Sequence, residues 1–155
     1  MNIKNIIYPY RINIGVFFIF LFMAYIVYGH GINLINFAIA PGDGLISGVP
    51  QKIFNSSWSL WNPYMQGGTS AIKDIGFQQL YPPSFLLMKI IPRVFGYNIY
   101  ILLHYGCAGF FMFLFLRKMR LEIFAALAGG IIYMMCGFIA GHKGHHAMPT
   151  SAVWI

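Results

Sequence analysis

Three carboxylates occur among the 155 residues, and one of them, Asp43, stands in Pro41-Gly42-Asp43-Gly44 just beyond the first long apolar run. Pro41-Gly42 stops a preceding helix and Gly44 frees the backbone, so Asp43 is expected on a turn at the membrane surface. Two uses fit an acid there. It either closes an Asx turn, or it works chemically: as a general base toward an acceptor hydroxyl, or as a ligand holding a divalent cation against a lipid-borne phosphate. Downstream come Ser57-Trp58-Ser59-Leu60-Trp61-Asn62-Pro63-Tyr64, then Gln66-Gly67-Gly68, then Tyr81-Pro82-Pro83, a stretch of aromatics, amides and turn formers. Trp and Tyr gather at membrane interfaces whatever a protein does, and their flat faces also stack on sugar rings. Asp74 follows Lys73 and reads first as half of a surface ion pair. Gly141-His142-Lys143-Gly144-His145-His146 supplies three histidines. Neutral imidazole can bind zinc or copper, but no Cys or Asp adjoins them. A headgroup or substrate contact by His142 and His145 is the expectation, and no metal site is assigned.

The elements that must carry these residues are helices in a membrane. The chain is 59% hydrophobic and 8% charged, with a mean hydropathy of +0.68, which matches an all-α integral membrane protein rather than a soluble domain. Runs such as Val16 to Phe22 and Phe110 to Leu116 are apolar at every position, whereas strands of a barrel would alternate. Spans are expected at 12–28, 94–116 and 123–140, with a long external first loop at 29–93 and the opening of a fourth span at 151–155. Lys4 and Arg11 precede the first span, and Arg117-Lys118-Met119-Arg120 fills the turn between the second and third. The positive-inside rule therefore puts the amino terminus in the cytoplasm and the long loop outside. Ala38-Ile39-Ala40 resembles a signal-peptidase site, but Pro41 follows it directly, so an uncleaved anchor is expected. The net charge of +7 resides in residues that flank spans, which favours membrane lipids and lipid-linked phosphates as partners over nucleic acid. Cys107 and Cys136 fall inside spans and read as small packing residues. Ala125, Gly129, Tyr133, Gly137 and Gly141 recur at steps of four, a stripe on which another helix could pack closely. His104, within the second span, is expected to turn into the bundle and bond to another helix.

In their order, a span, Pro41-Gly42-Asp43, Gln51, Leu60-Trp61-Asn62-Pro63-Tyr64, Gly67-Gly68, Tyr81-Pro82-Pro83, His104, Arg117, Tyr133 and Gly141-His142 with His145 resemble the amino-terminal part of the YfhO-type bacterial membrane proteins. The resemblance spans essentially the whole chain. It implies a polytopic transmembrane helix bundle of the GT-C glycosyltransferase type in the bacterial cytoplasmic (inner) membrane. Such a protein takes sugar from a polyprenyl-phosphate-linked donor and transfers it on the outer face to a cell-envelope polymer such as teichoic acid. By the same analogy Asp43 is the catalytic acid of the first loop, with a divalent cation an option there. Lys52, Trp61, Asn62, Tyr64, Asp74, Tyr81, Arg93, His142 and His145 are the expected substrate contacts. Lys52, Lys73 and Arg93 are the cations that would meet the leaving phosphate. Residues 1–155 are then expected to be one transmembrane domain at the amino-terminal end of a larger protein. A transporter or flippase subunit and a non-catalytic membrane scaffold are the alternatives.

Overall fold

The computed structural model describes residues 3–40, 42, 60–63, 67–70, 78, 80–91 and 93–154. Helix α1 (Ile3–Ala24) runs on into one π-helical turn, Tyr25–Gly29. A two-stranded antiparallel pair follows, β1 (Trp61–Asn62) and β2 (Thr69–Ser70). The remaining elements are α2 (Pro82–Ile90), α3 (Arg93–Lys118), α4 (Ile123–Met134), α5 (Gly137–Gly141) and α6 (Ala147–Ala152). The described chain is thus mostly helical, as the unbroken apolar runs imply. Among the described residues two helices are long and apolar enough to cross a bilayer, Val94–Lys118 with 25 residues and Ile123–Gly141 with 19. Asn13–Gly29 is a shorter apolar helical stretch.

Helix α3 is the axis of the fold. α1 and α4 pack along it, and α2 and α6 touch it as well. The α3–α4 crossing is made by backbone against backbone, because a Cβ on Gly130 would lie 2.6 Å from the carbonyl oxygen of Gly109. The Phe20 ring, fully buried, fills the angle between the two glycines. The contact face of α4 is therefore Ala126, Gly130 and Met134, all buried. The expected stripe lies one position over: Ala125 is exposed, Gly129 abuts the Leu116 side chain, and a Cβ on Gly137 or Gly141 would meet nothing within 4 Å. Both registers contain a glycine, and only the partner surface decides between them.

Two local stops shape the bundle. At the end of α3 the Leu121 N–H donates to the Leu116 carbonyl at 3.1 Å and the Arg120 N–H to that of Arg117 at 3.0 Å. Arg120 itself takes a left-handed φ of 67°. That pattern closes a helix in the space of one turn and lets α4 return antiparallel. The third expected span is interrupted at Met135–Cys136, where the Met134 carbonyl instead accepts a hydrogen bond from the Tyr28 hydroxyl at 2.8 Å. Tyr28 also stacks on Tyr105 with ring centroids 4.1 Å apart.

The expected loop 29–93 holds more structure than turns. Pro82 and Pro83 occupy the first two positions of α2, where a missing N–H costs nothing because those donors have no intrahelical acceptor. The last described segment is helical from before the expected start of a fourth span at residue 151. α6 begins at Ala147, and its Thr150 and Ser151 hydroxyls bond back to the carbonyls of His146 and Ala147, both at 2.7 Å, before a turn at Val153–Trp154.

Candidate functional site

Of the expected site residues, Trp61, Asn62, Tyr81, His142 and His145 are described, and Arg93 is placed as the first residue of α3. Asp43, Lys52, Tyr64 and Asp74 lie outside the described residues.

Trp61 and Asn62 form β1, with Trp61 opposite Ser70 and Asn62 opposite Thr69. Gly68 has φ +116°, and the Trp61 indole lies where a Cβ of residue 68 would project. The Gly67-Gly68 pair is thus needed both for the backbone turn and for the ring above it. Trp61 keeps more than half of its surface exposed, while Asn62 is buried.

Tyr81 is the expected residue that enters the bundle. As the residue immediately before α2, it directs its hydroxyl at His104 Nε2, 2.8 Å away. His104 Nδ1 lies 2.6 Å from the Tyr100 carbonyl, which can only accept, so the ring proton belongs on Nδ1 and Nε2 is the acceptor. Tyr81 therefore donates to His104, and its oxygen in turn accepts from Trp154 Nε1–H at 2.8 Å. Burial raises the Tyr81 pKa above its ordinary 10.0, against a lowering by the Trp154 bond, so the phenol acts as a neutral donor.

A second branch joins the same face of α3. The Tyr100 hydroxyl donates to Gln78 Oε1 at 2.5 Å, Gln78 Nε2 donates to Thr150 Oγ1 at 2.8 Å, and Thr150 donates to the His146 carbonyl at 2.7 Å. Gln78 holds this position with φ 49°, a left-handed conformation rare outside glycine, asparagine and aspartate. The result is one hydrogen-bonded cluster that ties the end of the loop, α2, α3 and α6 together around three aromatic rings and an imidazole. Below it, on the same side of α3, an apolar groove of about 300 Å³ runs past Ala108, Phe111 and Phe115 and shares Trp154 with the cluster.

Of the histidines after α5, His142 and His145 set their rings side by side, with centroids 6.2 Å apart, while His146 turns inward. His142 donates from Nδ1 to the Phe138 carbonyl at 2.8 Å and packs on the Phe138 ring. His145 is exposed, and His146 is buried with its ring edge-on to Tyr97. Among the described residues no three His, Cys, Asp or Glu side chains come together as a metal-binding group.

Gln78, Tyr100, Thr150 and Trp154 were not legible as site residues. The available signal was on α3, where Tyr97, Tyr100 and His104 recur at helical spacing on one face of a mostly apolar helix. The fold and cluster define a helical protein with two candidate membrane-spanning helices and a polar, aromatic centre on one face of the first of them. No protein-family model, curated protein or solved structure matches this chain.

Proposed function

We propose that the protein is the amino-terminal part of a multi-pass glycosyltransferase of the GT-C type, which moves a sugar from a polyprenyl-phosphate-linked donor to a cell-envelope polymer on the outer face of the bacterial cytoplasmic membrane. The reading draws on the order of motifs that resembles the YfhO type. The observation that carries it structurally is the Tyr81–His104–Tyr100–Gln78–Thr150–Trp154 cluster, set within an apolar bundle. Polar side chains are expensive among membrane helices and mark functional sites there by default. His104 stands thirteen residues before Arg117 on α3, roughly 20 Å along the helix at ~1.5 Å per residue. In this reading Arg117 and Lys118 are cytoplasmic, and a cluster at that height lies in the outer half of the bilayer.

In this reading Asp43 takes the proton of the acceptor hydroxyl as the oxygen bonds to the anomeric carbon, and the polyprenyl phosphate departs with the pair of electrons of the broken bond. Lys52 and Arg93 meet its charge. The aromatic faces of Trp61, Tyr64 and Tyr81 hold the sugar. Asp43→Asn in the full-length protein is expected to abolish transfer from a defined lipid-linked donor, with membrane insertion unchanged. Undiminished transfer by that variant would refute the assignment and favour the scaffold reading.

A further inference from the structure

Asn98 lies in the second turn of α3 and is completely buried. Its amide is used on both sides. Nδ2 donates to the carbonyls of Leu34 and Phe37, each at 2.7 Å, and Oδ1 accepts from the Ile39 N–H at 2.7 Å. An amide buried without such bonds would be strongly destabilising, whereas here one side chain satisfies three main-chain groups of a segment that has no regular secondary structure.

The segment is stitched internally too. Asn33 Oδ1 accepts from the Ile35 N–H at 3.1 Å, and the Phe37 N–H donates to the Asn33 carbonyl at 2.9 Å. Ile39 and Ala40 are buried. Beyond them the chain has only Pro41 and Gly42, the latter turned at φ +60°, before Asp43. Four residue steps span at most about 14 Å of chain, so the anchor at Ile39 limits where residue 43 can reach.

We propose that Asn98 is a positioning residue for the transfer reaction: its amide fixes the register of residues 34–40 on the amino-terminal end of α3, and so fixes the point from which the chain leaves toward Asp43. The functional half of this proposal rests on Asp43 acting as the base. The anchoring half does not, and the test separates them.

In the full-length protein in native membranes, with Cys107→Ala, Cys136→Ala and the reporter Asp43→Cys, the rate of reaction with a membrane-impermeant maleimide is compared across Asn98, Asn98→Gln and Asn98→Leu. Leucine keeps the branching of asparagine at Cγ, in a somewhat larger side chain, and removes all three bonds. It is expected to change the labelling rate about tenfold, with glutamine between it and the parent. In chains that keep Asp43, Asn98→Leu is expected to lower kcat for transfer about a hundredfold with KM for the donor unchanged. Equal labelling rates in parent, Asn98→Gln and Asn98→Leu overturn the proposal. Should Asn98→Leu fail to accumulate, Asn98→Gln and Asn98→Ser serve in its place, and rates equal to the parent's in both overturn it. A changed labelling rate together with full transfer by Asp43→Asn supports the anchor and sinks the base.

Discussion

Gln78 holds a backbone conformation that its side chain makes worthwhile. At φ 49° a residue with a Cβ is crowded against its own carbonyl, at a cost of roughly 1 kcal/mol or more. The Tyr100, Gln78 and Thr150 bonds at 2.5 and 2.8 Å offset that cost. Removing the side chain should therefore expose an unusual order of stability. Gln78→Ala loses the bonds, leaves the Tyr100 hydroxyl without this acceptor, and keeps the backbone strain. Gln78→Gly loses the same bonds and sheds the strain, so it is expected to be more stable than Gln78→Ala by about 1 kcal/mol, although both fall below the parent. Thermal unfolding in detergent measures the order. Alanine above glycine would mean that residue 78 relaxes out of the left-handed region and that the strain is not held by the fold. Nothing in the sequence around Gln78 announces this role, since amides recur along the loop, Gln79 beside it among them, and the partners, Tyr100 and Thr150, are distant along the chain. Tyr81 was legible because an aromatic ahead of two prolines stands out; Gln78 becomes visible only once α3 and α6 are brought together.

Among the elements, the α3–α4 pair turns on Gly109 and Gly130. A methyl group at position 130 would meet the Gly109 carbonyl at 2.6 Å and the Phe20 ring at 2.5 Å. A backbone carbonyl and a buried ring in the angle of a helix crossing cannot both step aside. Gly130→Ala is therefore expected to destabilise the bundle by about 1–3 kcal/mol. Gly137→Ala, with nothing within 4 Å, is the control and should change the unfolding temperature little. A neutral Gly130→Ala would show that the helices cross elsewhere. The apolar runs gave the three helical stretches from sequence, because the need to satisfy every backbone group in lipid leaves few other structures. The interface register was not readable, since Gly129 and Gly130 are neighbours and each heads a stripe at spacing four. α2 was missed for a related reason: Pro82-Pro83 signals a turn as readily as a helix start, and only the acceptors available to the following residues separate the two.

At the scale of the whole molecule the two ends of α3 differ in kind. Its carboxyl-terminal turn carries Arg117 and Lys118, with Arg120 in the tight connection beyond, while its amino-terminal half carries Asn98, Tyr100 and His104. Basic residues at a helix carboxyl terminus have two physical explanations. They answer the partial negative charge of the exposed carbonyls, and Arg117 also donates to the Leu121 carbonyl at 2.6 Å; or they are held in the cytoplasm by the positive-inside bias. The first explanation is indifferent to orientation, the second fixes it, and the proposed chemistry needs the second. Ile35 and Met119 are both well exposed, at 68% and 57%, and lie near opposite ends of α3, so single cysteines there report on the two faces without disturbing the core. In intact cells expressing variants with Cys107→Ala and Cys136→Ala, Ile35→Cys is expected to react with a membrane-impermeant maleimide, and Met119→Cys only after permeabilisation. The inverse pattern would put the polar cluster and the loop toward the cytoplasm, where an outer-face acceptor polymer never comes, and would remove the transfer reaction proposed for this protein. Reaction of both sites in intact cells would go further, because two ends of one helix open to the same aqueous side mean that α3 does not span the bilayer.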